Sequence, residues 1–153
     1  MSDRQIVDEI NNYQASWIIL TGGEPSLHID SGFIRFLKEK TGKLISIETN
    51  GSRPIPPEID WVTVSPKQGI GNNEDYEIKA ERADEIKVVD MGQELEVYKT
   101  LPCVTGKTEF RLQPCFVEDP DQFAENISST VSRVLEHPEW KLSIQLHRFL
   151  GIQ

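Results

Sequence analysis

The chain has 153 residues and a formal net charge of -9, with 25 acidic against 16 basic residues, 37% hydrophobic and 27% charged content. That length fits one domain, able to bury about two-thirds of its unfolded surface. An acidic chain without a Lys/Arg stripe repels a phosphate backbone, so nucleic acid is not an expected direct partner, whereas a small nucleoside-like ligand stays open. No apolar run approaches the roughly 20 residues of a membrane span. The start, Met1 to Gln5, is polar and is not a signal peptide, which makes the cytoplasm the expected location.

Elements alternate along the chain. Ile6, Val7 and Ile10 share a helical face, and Trp17 to Thr21 reads as a buried strand. Asp30 or Ser31 can cap a helix carrying Phe33, Ile34 and Leu37, ending near Gly42. Strands follow at 44–48, 61–65, 85–89 (ended by Met91-Gly92) and 109–113. Asp119 and Pro120 make a cap and first position for a helix bearing Phe123, Ile127, Val131 and Val134, which Pro138 closes. Lys141 to Gln145 reads as a last strand, and Gln68 to Ala83 as a long surface loop. This order implies an α/β fold with a parallel sheet covered by helices.

Small, polar and ionisable residues follow the strands: Thr21-Gly22-Gly23-Glu24-Pro25, Glu48-Thr49-Asn50-Gly51, Ser65-Pro66-Lys67, Gln113-Pro114 and Gln145-Leu146-His147. Ligands of parallel α/β folds bind at that end of the sheet. Gly22 and Gly23 let backbone approach a ligand closely. Glu24 offers a carboxylate to an ammonium group, Ser65 a hydroxyl and Lys67 a point charge for a carboxylate. Each cluster taken singly is also what a strand-ending turn uses. Their convergence on one rim indicates a binding site but not a reaction. Cys103 and Cys115, with eleven residues between them, match no metal-ligand spacing and read as one buried thiol and one loop thiol.

In order, Ile18 to Leu27 with its Thr-Gly-Gly-Glu-Pro, Ser46 to Gly51, Asp60 to Lys67, Phe110 to Pro114 and Trp140 to Ile152 resemble the 7-carboxy-7-deazaguanine synthase family of radical S-adenosylmethionine enzymes. The resemblance covers nearly the whole chain from Trp17. It implies a partial (incomplete) parallel β/α barrel of the radical S-adenosylmethionine type. In that family a [4Fe–4S] cluster cleaves S-adenosylmethionine reductively to a 5′-deoxyadenosyl radical. The radical abstracts hydrogen from 6-carboxy-5,6,7,8-tetrahydropterin, whose ring contracts with loss of ammonia, aided by Mg²⁺, in queuosine biosynthesis.

Carried over by position, the resemblance places Thr21 and Gln153 at the pterin substrate. It places Gly22, Gly23 and Glu24, then Ser65, Pro66 and Lys67, and finally Gln113, Pro114, Cys115 and Phe116 at the cofactor. It also implies a homodimer. The family's Cys-x₃-Cys-x₂-Cys cluster motif lies N-terminal to the Gly-Gly-Glu-Pro strand, and here the segment before Trp17 contains no cysteine. Three thiolates are needed at one end of the barrel, so the chain is expected to lack the first strand, the cluster loop and the Mg²⁺-binding threonine. The expectation is a single partial barrel over residues 1–153, inactive alone. A shortened gene, a mis-set start codon, an expressed piece and a diverged chain all remain open. Two other readings stay open: an activase that places a glycyl radical on a partner protein, and a non-catalytic remnant that still binds S-adenosylmethionine. Ser65-Pro66-Lys67 and the Gln145-Leu146-His147 ending favour the small-molecule enzyme over the activase.

Overall fold

A computed structural model of the chain describes residues 1–67 and 76–150, excepting the side chains of His147 and Phe149. Its centre is a six-stranded, all-parallel sheet in sequential order: β1 (Trp17–Leu20), β2 (Leu44–Thr49), β3 (Trp61–Val64), β4 (Glu85–Asp90), β5 (Glu109–Pro114) and β6 (Trp140–Leu142). Among the described residues β1 and β6 are edges, so the sheet is an open, partial parallel β/α fold, as the sequence implies.

The helices form where their ends are chemically satisfied. α1 (Asp3–Asn11) starts in a capping box between Ser2 and Gln5. α2 (Ser31–Thr41) is capped by Asp30, whose carboxylate accepts the Phe33 amide at 2.8 Å, and stops at Gly42 in the left-handed region. α4 (Pro120–Glu136) has Asp119 as its cap and Pro120 in its first turn. α3 (Glu96–Lys99) and α5 (Leu146–Leu150) are too short for a periodicity to reveal, and the sequence reading contains neither.

A sequential parallel order with right-handed crossovers sends every connection over the same side of the sheet. The strand parity follows from this. Ile18 and Leu20, Ile45 and Ile47, Val62 and Val64, Ile86 and Val88, and Leu112 point toward the helices, and from Ile45 onward these residues are buried. Register aligns them in rows, Leu20 with Ile47 and Val62, and Ile86 with Phe110 and Trp140. Each such aliphatic side chain contributes about 1.5–3 kcal/mol when fully buried. Trp140 anchors the far end, its ring 5.2 Å from Phe110 and 6.2 Å edge-on from Tyr98.

The other face is ionic. Register sets Glu48, Thr63, Glu85 and Glu109 in one row, and Lys87, Arg111 and Lys141 in the next. Like charges side by side repel, and pairs between the rows offset this: Arg111 to Glu85 at 2.9 Å and, along its own strand, to Glu109 at 3.1 Å, and Lys141 to Glu109 at 3.0 Å. Helices thus cover the sheet on one face, not both.

Three further sequence readings are corrected. β1 is not a buried strand: it is an edge, with Trp17 and Ile19 exposed on the face the helices leave open. The last strand stops at Leu142, because only Trp140 to Leu142 find partners on β5, and the chain turns into α5. Residues 76–83 are no surface loop, since Ile78, Ala80 and Ala83 are buried in the core; residues 68–75 of that reading lie outside the described residues. Among the described residues no helix is long and apolar enough to cross a membrane.

Candidate functional site

The carboxyl ends of the strands enclose an open cavity of about 420 Å³. Thr21 to Glu24 after β1 form one wall, Glu48 to Asn50 at the end of β2 a second, and Ser65 and Lys67 after β3 a third. Lys87, Val89, Gln113 and Gln145 close it from the β4–β6 side.

Glu24 braces this rim. Its Oε1 accepts the Ser26 amide at 3.0 Å and the Ser26 and Thr49 hydroxyls at 2.6 Å each, and its Oε2 accepts the Asn50 amide at 2.7 Å. Burial pushes its carboxyl up, but these four donors outweigh burial and hold it below the ordinary glutamate value of 4.5. The structure gives Glu24 a task other than meeting a ligand ammonium: it ties the end of β1 to the end of β2.

Gly22 (φ +91°) and Gly23 (φ +57°) turn the chain through the left-handed region, and a Cβ at either would meet nothing within 4 Å. Their backbone therefore faces open cavity. Gly51 (φ +80°) is the opposite case, since a Cβ there would lie 2.8 Å from Val64 Cγ1 and 3.3 Å from Ile78 Cδ1. Its carbonyl accepts the Lys79 and Ala80 amides, which seats residues 78–80 beneath the site. The Tyr76 hydroxyl accepts the Lys67 amide and donates to the Asn50 carbonyl, both at 2.9 Å, so the ends of β2 and β3 are clipped together.

Lys67 is half-buried, with its Nζ 3.1 Å from the Ser65 hydroxyl. Burial foremost, then the nearby Lys87 ammonium, holds its amine below the usual lysine value, against the opposing pull of Glu48. Lys87 pairs with Glu48 at 2.7 Å across the cavity floor.

Of the residues singled out in the sequence, Thr21, Gly22, Gly23, Glu24, Ser65, Lys67 and Gln113 converge on this cavity. The others go elsewhere. Pro66 is buried beside them. Pro114 faces the helix side, one residue out of phase with Gln113, and lines a narrow crevice with Phe123 and Ile127. Cys115 lines a separate recess with Asp90, Gly92 and Asn126. Phe116 packs its ring 5.2 Å from that of Phe123, under the Arg148 guanidinium 3.6 Å from its centroid. Gln153 and the His147 side chain lie outside the described residues. Glu48, Thr49, Asn50 and Gln145, from the other strand-end clusters, line it too, and the structure adds Lys87 and Val89. Glu48, Lys87 and Val89 share the open face by strand alternation, a signal that the polar breaks in those strands already carried.

No family model matches the chain. The 7-carboxy-7-deazaguanine synthase of Bacteroides thetaiotaomicron is 44% identical over 153 residues, covering 100% of this chain and 74% of that protein. The Bradyrhizobium diazoefficiens protein of the same name is 37% identical over 137 residues, 90% of this chain and 60% of its own length. That of Caulobacter vibrioides is 35% identical over 142 residues, 88% of this chain and 59% of its own. The chain thus spans three-fifths to three-quarters of the length of these relatives. Identity of this extent, along a chain whose strand-end motifs converge on one cavity, shows that it belongs to the 7-carboxy-7-deazaguanine synthase family.

Proposed function

We propose that the cavity is the S-adenosylmethionine and substrate site of a radical S-adenosylmethionine carbon–nitrogen lyase. Its substrate is 6-carboxy-5,6,7,8-tetrahydropterin and its product 7-carboxy-7-deazaguanine. The observation that carries this reading is the meeting of Thr21 to Glu24, Ser65, Lys67 and Gln113, from four strand ends, around one space. S-adenosylmethionine, with a reductant, supplies the radical chemistry when bound. The residues here fit it. Gly22 and Gly23 present backbone beneath open space, Ser65 and Lys67 offer a hydroxyl and an ammonium, and Thr21 and Gln113 line the same space.

A [4Fe–4S] cluster does not fit the residues of this chain. It requires three adjoining thiolates, whereas Cys103 is sealed in the core and Cys115 opens into a different recess. Among the described residues Mg²⁺ has no open carboxylate in the cavity either, because Glu24 is engaged by four donors and Glu48 is paired with Lys87. No reaction step is derived through either group, and this 153-residue chain is a single partial barrel that binds but does not turn over by itself. Its partner in this reading is a second copy, favoured by the unpaired outer edge of β1 with Trp17 and Ile19 exposed. Titration calorimetry of the chain with S-adenosylmethionine tests the site, and saturable binding that Gly23→Val abolishes is expected. Absence of binding, or binding untouched by that change, overturns the reading.

A further inference from the structure

The cations of the open sheet face differ in how fully they are neutralised. Arg111 is held by Glu85 and Glu109, and Lys141 also pairs with Glu109. Lys87 has one carboxylate, Glu48, at 2.7 Å. Lys67 has none among the described residues and is steadied only by the Ser65 hydroxyl. These two lysines line the same cavity, where the remaining carboxylate among the described residues, Glu24, is engaged by four internal donors. Lys67, Lys87 and Glu48 thus form a set with one more ammonium than carboxylate, while Glu24 keeps its charge but has its oxygens engaged by neutral donors rather than by a lysine. Lys87 is the more enclosed member of its pair, with 18% of its side chain exposed against 43% for Glu48. The glutamate is therefore the partner that solvent can receive when the pair opens.

We propose that Lys87 joins Lys67 in taking a ligand carboxylate, with Glu48 as the counter-ion that yields to it, so that Lys87 sets the preference for carboxylate-bearing ligands. A carboxylate accepted between two ammoniums gains two charge-assisted hydrogen bonds and relieves the repulsion that burial magnifies between the lysines. Glu48 stands in for that carboxylate while the cavity is free. The assignment rests on the cavity being the cofactor and substrate site. The carboxylate can come from the amino-acid end of S-adenosylmethionine or from a carboxylated pterin.

The test titrates the 153-residue chain with two matched pairs, S-adenosylmethionine against its decarboxylated analogue, and 6-carboxypterin against unsubstituted pterin. The wild type is expected to prefer the carboxylate-bearing member of one pair by roughly tenfold or more, and that pair identifies the source. Lys87→Gln is expected to reduce the preference to within about twofold, and Lys87→Arg to keep most of it. Glu48→Gln, which removes the competitor, is expected to tighten the same ligand several-fold. A purely structural ion pair predicts that Lys87→Gln and Glu48→Gln weaken binding alike, and that result overturns the assignment while leaving the site intact. Should Lys87→Gln lose its fold in thermal melts, Glu48→Gln decides by the sign of its effect. A wild type that binds these ligands without a carboxylate preference in either pair also overturns it, and a wild type that binds no member of either pair overturns the site itself.

Discussion

The Glu24 carboxylate accepts the buried Thr49 hydroxyl at 2.6 Å, joining two strand ends separated by 25 residues of chain. Both residues sit where backbone pairing between β1 and β2 stops, so this bond and its neighbour to the Asn50 amide extend the lateral connection past the last paired residues.

Glu24→Ala therefore leaves a buried hydroxyl and a rim amide without their acceptor. The expected loss is about 2–4 kcal/mol of stability, measured by denaturant unfolding. Glu24→Gln, which keeps one carbonyl acceptor, is expected to cost less.

The same residue gives an acid signature. Its carboxyl is held below the ordinary value of 4.5 by hydrogen bonds to the charged form. It thus contributes stability that is complete above that value and is lost as pH falls through its lower folded value. Melting temperature recorded between pH 6 and 3 is expected to fall more steeply for the wild type than for Glu24→Gln. A steeper fall in the variant contradicts the assignment.

Gly51→Ala and Gly23→Ala separate packing from binding. At Gly51 the new methyl collides with Val64 and Ile78 in a left-handed backbone, so a loss of about 2–4 kcal/mol is expected. At Gly23 the methyl meets open space, so stability is expected to fall only by the backbone term, about 1–2 kcal/mol. Ligand binding suffers instead, and calorimetry beside thermal melts distinguishes the two outcomes.

Arg133 on α4 reaches the carboxylate of Asp90 at the end of β4 and the Gln93 carbonyl, in a region where Asp90 is nearly enclosed. Arg133→Met strands a buried carboxylate, and a loss of about 3–5 kcal/mol is expected. Asp90→Asn combined with Arg133→Met is expected to cost less than the sum of the two single changes.

Anaerobic reconstitution of this chain with iron and sulfide is expected to give no stoichiometric ferric–thiolate absorbance, because its two thiols cannot supply three ligands at one place. A brown product with four irons per chain overturns that expectation.

What the sequence by itself determined was the local frame. The caps Asp30 and Asp119, the stop at Gly42 and the strands from Leu44, Trp61, Glu85 and Glu109 are dictated by near-neighbour chemistry, and they are found where that chemistry places them. The order of the strand-end motifs also sufficed to indicate the family. Tertiary structure alone decided which residues of those motifs face the ligand. Side-chain direction alternates with each residue, so Gln113 enters the cavity while Pro114 turns to the helices, though both belong to one motif. It likewise decided that Glu24 is consumed by Thr49 and Asn50, and that Lys87, unremarkable within its own strand, meets Glu48 in the cavity. Those contacts join residues 25 to 39 positions apart in the chain, a separation across which no local pattern carries information.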